Sequence, residues 1–179
     1  MRVIWRGLHP DLTSLEYLTL EPWSRATGTV IETGDATGYA VRYEVDISPE
    51  GFPTRATFDL SDGRRFGLER TATGVWRQDQ QEKPEFAGCT DLDISATPLT
   101  NTLPLRRLGL EVGQTAEIEV VWVGLPEFVL RRTAQRYTRL SPFVYRYENL
   151  SSGYSNEVTL DADGLVRSYP HAFDRVALE

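Results

Sequence analysis

Apolar and polar residues alternate with a period of two along much of this chain, and that alternation limits the fold more than any other feature of the sequence. The clearest case is residues 39–47, where tyrosine, valine and isoleucine occupy every second position. Such a pattern is typical of a β-strand with one buried face. An amphipathic helix needs apolar residues at a spacing near 3.6, and no long stretch of the sequence has that spacing. The chain is therefore predicted to be all-β.

Further strands are predicted wherever the alternation returns between turn-forming residues. They cover residues 54–60, 66–68, 75–79, 90–96, 116–122, 143–147, 154–160 and 165–169. Hairpin turns are expected at the glycine-containing segments 61–63, 73–74 and 161–164, because glycine and aspartate tolerate the backbone of tight turns. Together these segments predict about a dozen short antiparallel strands with little helix, arranged as a curved roll, a partly open barrel or a sandwich.

Two segments depart from simple alternation. Residues 120–123 are apolar on both faces, which predicts a strand in the middle of the sheet. Residues 128–139 favour strands, but a short helix over 131–139 is an alternative.

Length and composition narrow the class of protein. The 179 residues suit one β-roll domain spanning residues 1–179, and the single cysteine, Cys89, fits a reducing compartment. No apolar run reaches the length of a signal peptide or a membrane span, so a cytoplasmic protein without integral membrane association is expected. The net charge of −7 argues against nucleic-acid binding, which needs a basic face.

The most distinctive segment is residues 88–108, with the sequence GCTDLDISATPLTNTLPLRRL. It resembles the signature of the "putative glycolipid-binding" family, in which a G-C-x-D-[LV]-D strand precedes T-P-x-T-N-T-L-P-[IL]-R-R-L. The likeness continues, in order, through the regions of Trp5, Trp76 and Trp122, the 145–147 stretch and the segment 164–175. The resemblance thus covers nearly the whole chain.

This resemblance implies both a fold and a function. The family's fold is described as a spiral β-roll, and its members are similar to periplasmic lipoprotein carriers that hold acyl chains inside a curved sheet. The resemblance therefore implies a non-catalytic binding protein for a lipid-like or glycolipid-like ligand held in a cavity of the sheet. The expected partner is a small amphipathic molecule, and no cofactor or metal ion is predicted.

The two acids and two arginines of the motif allow more than one interpretation. Asp91 and Asp93 project from one face of a strand, about 7 Å apart. An ion pair of Asp91 with Arg106 or Arg107 would fix the segment between them. Paired acids also suit metal binding or acid and base catalysis, so a hydrolase or phosphoryl-transfer enzyme using these four residues is an alternative.

Residues 97–104 are predicted to form a polar loop limited by its two prolines. In such a loop Thr100 and Asn101 would either close local turns or contact a sugar or phosphate head group at the mouth of a cavity. Both roles use the same hydroxyl and amide groups, and the two interpretations stay open.

Aromatic residues complete the predicted ligand-binding set. Tryptophan and tyrosine rings would serve in a filled core or as the walls of a pocket. The full set is Trp5, Trp76, Asp91, Asp93, Thr100, Asn101, Arg106, Arg107, Trp122, Tyr145 and Tyr147. His9 and His171 lie beside prolines and are expected to be exposed loop residues, so no catalytic residue is predicted. A third alternative is a structural or interaction module that forms a homodimer through an exposed strand edge.

Overall fold

Fifteen strands, one α-helix and one short 3₁₀ turn (Pro84–Phe86) form the regular structure of this chain in the computed structural model, which describes residues 1–34 and 38–178. The first eight strands are β1 (Arg2–Gly7), β2 (Thr13–Glu21), β3 (Arg25–Thr33), β4 (Gly38–Ile47), β5 (Pro53–Leu60), β6 (Arg65–Arg70), β7 (Trp76–Gln78) and β8 (Gln81–Glu82). The remaining elements are β9 (Asp91–Ile94), α1 (Leu99–Leu108), β10 (Thr115–Gly124), β11 (Val129–Ser141), β12 (Val144–Asn149), β13 (Ser155–Leu160), β14 (Val166–Tyr169) and β15 (Phe173–Leu178).

All fifteen strands belong to one sheet. Its order is β8-β7-β6-β5-β4-β3-β2-β1-β15-β14-β13-β12-β11-β10-β9, so the first and last strands pair in the middle. Neighbouring strands are antiparallel except β9 and β10, which are parallel. In the described part of the chain β8 and β9 end the sheet without pairing to each other, so it is not closed into a barrel. The predicted all-β class is confirmed.

The sheet curls so that its two ends approach each other. The Trp76 indole N–H, on β7, donates to the carbonyl oxygen of Cys89 just before β9, at 2.8 Å. Phe128, between β10 and β11, stacks on Phe66 of β6 with ring centroids 4.0 Å apart. It also meets Phe58 of β5 edge-on at 5.2 Å. Side chains from both ends of the strand order therefore share one core.

The alternation predicted strands correctly where the inner face is apolar, and β4 and β5 confirm it. Strand β2 shows why the alternation does not predict some of the other strands. There Ser14 and Glu16 point inward and are buried, whereas Leu15 and Tyr17 point outward and are exposed. In this part of β2 the polar residues face the core and the apolar residues face solvent. The alternation therefore does not indicate which face is buried.

The prediction of a loop over residues 97–104 is wrong, because α1 begins at Leu99 and continues to Leu108. Threonine, asparagine and proline are weak helix formers, and Pro104 lies inside the helix and lacks a backbone donor. Tertiary packing overrides these propensities, since every residue from Leu99 to Leu105 is buried. The helix ends at Gly109, whose positive φ of 56° suits a left-handed C-terminal cap.

The two remaining uncertain segments are strands. Residues 129–141 form the single long strand β11, so the alternative of a helix over 131–139 is wrong. Strand β10 pairs with β9 on one side and β11 on the other, but it lies second from the end of the sheet and not in its middle as predicted.

Candidate functional site

A pocket of about 230 Å³ opens where the start of α1 meets the C-terminal half of the sheet. Its polar lining comes from β9 and from the segment that leads into α1, and its aromatic lining comes from β10, β12, β14 and β15 and from the turn before β13. The lining residues are Asp93, Ile94, Ser95, Thr97, Asn101, Trp122, Tyr147, Tyr154, Tyr169, Ala172 and Phe173. We call this cavity the aromatic pocket.

Asp93 supplies the carboxylate of the aromatic pocket. The Gln135 amide N–H donates to its Oδ2 at 2.6 Å, and the Thr100 hydroxyl donates to its Oδ1 at 3.3 Å. Both donors are neutral, and no described residue forms an ion pair with Asp93. Burial raises the pKa of Asp93, while the hydrogen bonds from Gln135 and Thr100 act in the opposite direction.

A network of neutral hydrogen bonds holds the residues behind Asp93. The Tyr137 hydroxyl donates to Gln135 Oε1 at 3.1 Å and accepts from the Asn101 amide, also at 3.1 Å. Gln135 Nε2 also donates to the Tyr147 hydroxyl at 3.1 Å. Burial raises the pKa of Tyr137 far above its ordinary value, so its hydroxyl keeps its proton and can donate. The network fixes the orientation of Asp93 and Tyr147 from behind.

The opposite side of the aromatic pocket is a wall of rings at steep angles to one another. Tyr147 lies 6.2 Å from Tyr154 and 6.0 Å from Tyr169, with interplanar angles of 58° and 71°. Phe173 continues the wall, 6.5 Å from Tyr169. Trp122 closes another side, and Gly124 lets its ring lie close to the strand, because a Cβ at Gly124 would collide with the indole.

Asp91, two residues before Asp93 on β9, has different surroundings. It is 1% exposed and forms an ion pair with Arg107 near the end of α1. The Thr90 hydroxyl donates to the same carboxylate at 2.6 Å. The guanidinium of Arg107 also packs on the ring of Phe52, 4.2 Å from its centroid. The predicted ion pair of Asp91 is thus present, and it fixes a helix where a loop was expected.

A second buried carboxyl lies on β2. Glu16 is 2% exposed and accepts a hydrogen bond from the Tyr43 hydroxyl, which lies 3.2 Å from the hydroxyl of Thr97. Burial raises the pKa of Glu16 to about 8, against smaller lowering effects of the hydrogen bonds from Tyr43 and Thr97. Gly28 makes room for the ring of Tyr43, since a Cβ there would collide with it. Thr97 also lines the aromatic pocket, so this cluster supports one side of it.

The structure brings together only part of the predicted ligand-binding set. Asp93, Asn101, Trp122 and Tyr147 line the aromatic pocket, and Thr100 supports Asp93 from behind. The residues that lie elsewhere are Trp5, Trp76, Asp91, Arg106, Arg107 and Tyr145.

The indole N–H of Trp5 donates to the carbonyl of Val166, and its side chain is 0% exposed. Trp76 and Tyr145 are buried as well, with Arg139 packed on the ring of Tyr145. Arg106 is exposed and stacks on Trp23, 4.1 Å from the ring centroid. For these residues the structure shows core packing or surface contacts.

Sequence reasoning missed several residues of the site. Gln135 and Tyr137 fall on the segment with competing strand and helix interpretations, and their alternation along β11 is the one signal that places them on the same face. Tyr169 and Phe173 come from β14 and β15, which reach the pocket only because the sheet curls. Glu16 gave no signal, because a buried acid on a strand looks like an exposed one in the sequence.

Other features bear on the class of protein. Among residues 1–34 and 38–178, no helix is long and apolar enough to cross a bilayer. The same residues contain no group of three or more His, Cys, Asp and Glu side chains placed to hold a metal ion. His9 and His171 are exposed, as expected, and Cys89 is a buried free thiol whose pKa burial raises to about 11.

An open, curled sheet with one inserted helix and an aromatic pocket defines a β-roll with a small cavity. Residues 2–175 match the family described as "putative glycolipid-binding". The chain belongs to that family, as the 88–108 motif indicated. It is also similar to a crystal structure of a DUF1089 family protein from Pseudomonas aeruginosa, with 35% identity and a TM-score of 0.84 over 91% of this chain and 92% of that one. No curated protein matches the chain.

Proposed function

We propose that this protein is a non-catalytic binding protein for a lipid-like, amphipathic molecule, and that the aromatic pocket holds the polar head of that molecule. The observation that carries the proposal is the combination of one carboxylate, one amide and several ring faces around a single opening. Binding sites for small molecules combine apolar and aromatic walls with a few placed polar groups in this way. Membership of a family described as "putative glycolipid-binding" supports the same class of ligand.

The position of α1 supports placing the head and not the tail of the ligand in the pocket. Its first seven residues are buried, and it contacts both halves of the sheet through Asn101 with Tyr137 and Arg106 with Trp23. The helix therefore occupies part of the space that a curved sheet would offer to an acyl chain. A volume of about 230 Å³ suits a compact head group, because pockets for whole drug-sized ligands are usually about 300–1,000 Å³.

The geometry gives less support to the enzyme alternative. A catalytic pair would need Asp91 and Asp93 to face the same substrate, but Asp91 is paired with Arg107 and does not line the aromatic pocket. Arg106 and Arg107 lie at the far end of α1 from Asn101, so they are poorly placed to neutralise a substrate held there. The proposal is therefore a binding role.

Titration with n-octyl β-D-glucoside below its micellar concentration tests the proposal by calorimetry. Two tyrosines of nearly equal exposure provide a matched pair of variants: Tyr154, 44% exposed, lines the pocket, and Tyr17, 45% exposed, lies on the outer face of β2. We expect saturable binding that Tyr154→Ala weakens at least fivefold and Tyr17→Ala leaves unchanged. Equal effects of the two substitutions, or absence of saturable binding by octyl amphiphiles with any head group, would overturn the proposal.

A further inference from the structure

We propose that the head group held by the aromatic pocket is cationic, and specifically that it carries a substituted ammonium group of the choline type. This inference rests on the proposed binding function and adds the charge and chemical class of the head. It is carried by a carboxylate with no cationic partner among the described residues, set in a cavity whose lining includes five aromatic rings.

The first argument is the missing partner of Asp93. Asp91 and Asp161 each form an ion pair with an arginine, Arg107 and Arg175 respectively. The buried Glu16 has no such partner among the described residues, but it does not line the aromatic pocket. No residue that lines the aromatic pocket is basic. Taking a carboxylate out of water is costly unless a charge or hydrogen bonds compensate it, so the pocket as built favours a ligand that brings a positive charge.

The second argument is the unused hydrogen-bonding capacity of Asp93. An ionised carboxylate has about four acceptor sites, and the protein supplies two donors, Gln135 and Thr100. These two donors hold the carboxylate from the side of α1 and β11, while Asp93 itself lines the opening. The remaining acceptor sites are available to a bound molecule.

The third argument is the shape of the aromatic wall. Tyr147, Tyr154 and Tyr169 are inclined to one another by 58° and 71°, so their faces do not stack flat but surround a common space. The electron-rich faces of such rings attract ammonium groups, and aromatic cages are a recurrent site for quaternary ammonium. An ammonium group between these rings and Asp93 would gain both interactions at once.

One ring of the aromatic pocket already contacts a cation. The guanidinium of Arg131 lies over the ring of Trp122, 5.6 Å from its centroid, and forms no ion pair with Asp93. Arg131 is exposed and does not line the aromatic pocket, so it leaves the cavity open. Anionic heads, by contrast, would meet the uncompensated carboxylate and be repelled.

Three amphiphiles with the same eight-carbon tail test the inference: octyltrimethylammonium, n-octyl β-D-glucoside and octyl sulfate. We expect octyltrimethylammonium to bind at least tenfold more tightly than the glucoside, and the sulfate to bind most weakly. Choline and 3,3-dimethylbutan-1-ol, which have nearly the same shape but differ in charge, repeat the comparison without a tail. Choline should bind at least tenfold more tightly than the alcohol.

Substitutions test whether the preference for a cationic head group arises in the aromatic pocket. Asp93→Asn should reduce the ratio between the ammonium and the glucoside to about one, whereas Asp163→Asn, at an exposed hairpin turn, removes one charge elsewhere and should leave the ratio unchanged. Ser95→Lys places a cation on an exposed lining position and should weaken ammonium binding while strengthening sulfate binding, which provides a second test if Asp93→Asn folds poorly.

The outcomes separate this inference from the proposed function. Tyr154-dependent binding of the glucoside equal to or tighter than that of the ammonium would overturn the inference and leave the binding role in place. An ammonium preference that survives both Asp93→Asn and Ser95→Lys would overturn it too, because the preference would then come from the net charge of −7. If no amphiphile of the series bound in a Tyr154-dependent way, both proposals would fail.

Discussion

Asp91 and Asp93 lie two residues apart on β9, yet their surroundings are opposite. Asp91 is closed off by Arg107, whereas Asp93 touches only neutral donors and faces the aromatic pocket. Both carboxylates also contact α1: Arg107 lies near the end of the helix and Thr100 near its start. The difference teaches that one strand serves two purposes, since its first acid anchors the helix and its second remains available to a ligand.

The largest expected effect on stability comes from disrupting the ion pair of Asp91 with Arg107. Arg107→Met leaves Asp91 buried without a cation, and removing one partner of a buried ion pair costs about 3–5 kcal/mol. We expect urea denaturation to show a loss of free energy of unfolding of that size. The neighbouring Arg106→Met loses only the contact with Trp23 and should cost less than about 1 kcal/mol. Similar losses in the two variants would contradict the anchoring role of the Asp91 pair.

Glu16 adds a third case to the comparison of buried acids. It has no cationic partner among the described residues, and it does not line the aromatic pocket. Its folded pKa of about 8 lies above that of the unfolded chain, so the folded state retains a proton that the unfolded state releases above about pH 4.5. Raising the pH from 5 to 8 should therefore lower the free energy of unfolding, by at most about 1.4 kcal/mol per pH unit for this one group. Above pH 8 this loss is complete.

The matched variant for that effect is Glu16→Gln, which keeps the shape of the side chain but cannot ionise. Denaturation of both proteins at pH 5, 6.5 and 8 should show a flatter pH dependence in the variant. If the two profiles ran parallel, the folded protein would not hold Glu16 in its protonated form across this range.

Asp93→Asn has a smaller expected effect on stability. Neutral donors surround this residue, and a side-chain amide can replace the carboxylate with a loss of about 1 kcal/mol, or about 2–4 °C in Tm for a chain of this size. Asp91→Asn on the same strand leaves Arg107 without its counter-ion and should lower the Tm several times further. If calorimetric scans gave a lower Tm for Asp93→Asn than for Asp91→Asn, the difference described between the two aspartates would be contradicted.

Tyr154→Phe has the smallest expected effect. The tyrosine hydroxyl accepts one exposed hydrogen bond from Asn156, whose amide also donates to the carbonyl of Pro170. We expect a change in free energy of unfolding within about 0.5 kcal/mol, and octyl glucoside binding equal to that of the unsubstituted protein because the ring is kept. A loss of binding as large as that of Tyr154→Ala would show that the hydroxyl and not the ring face contacts the ligand.

The sequence predicted the class of fold because most inner faces are apolar, as in β4 and β5. It failed where burial depends on tertiary contacts: the polar start of α1 is buried by the sheet around it, and the inner face of β2 carries Ser14 and Glu16. No local pattern contains that information, because the burying residues come from distant parts of the chain.

In the candidate site, too, some residues were predicted from the local sequence and others depend on tertiary contacts. Asp93 and Asn101 were predicted because they lie within one recognisable motif, and Trp122 and Tyr147 because they lie in regions that resemble the family and carry rings suited to a pocket wall. Gln135 and Tyr169 reach the site from strands two and five places away from β9 in the sheet order. Only the order and curl of the sheet bring them together, and neither can be derived from the spacing of residues in one sequence.

The pairing of β1 with β15 in the middle of the sheet has a consequence for how the chain folds. Arg6 and Asp174, which form an ion pair across these strands, are 168 residues apart. All the other pairings between described strands join successive strands, so the segments β1–β8 and β10–β15 can form from local hairpins. We therefore expect a slow final step of high contact order, in which two preformed halves join along the β1–β15 pairing.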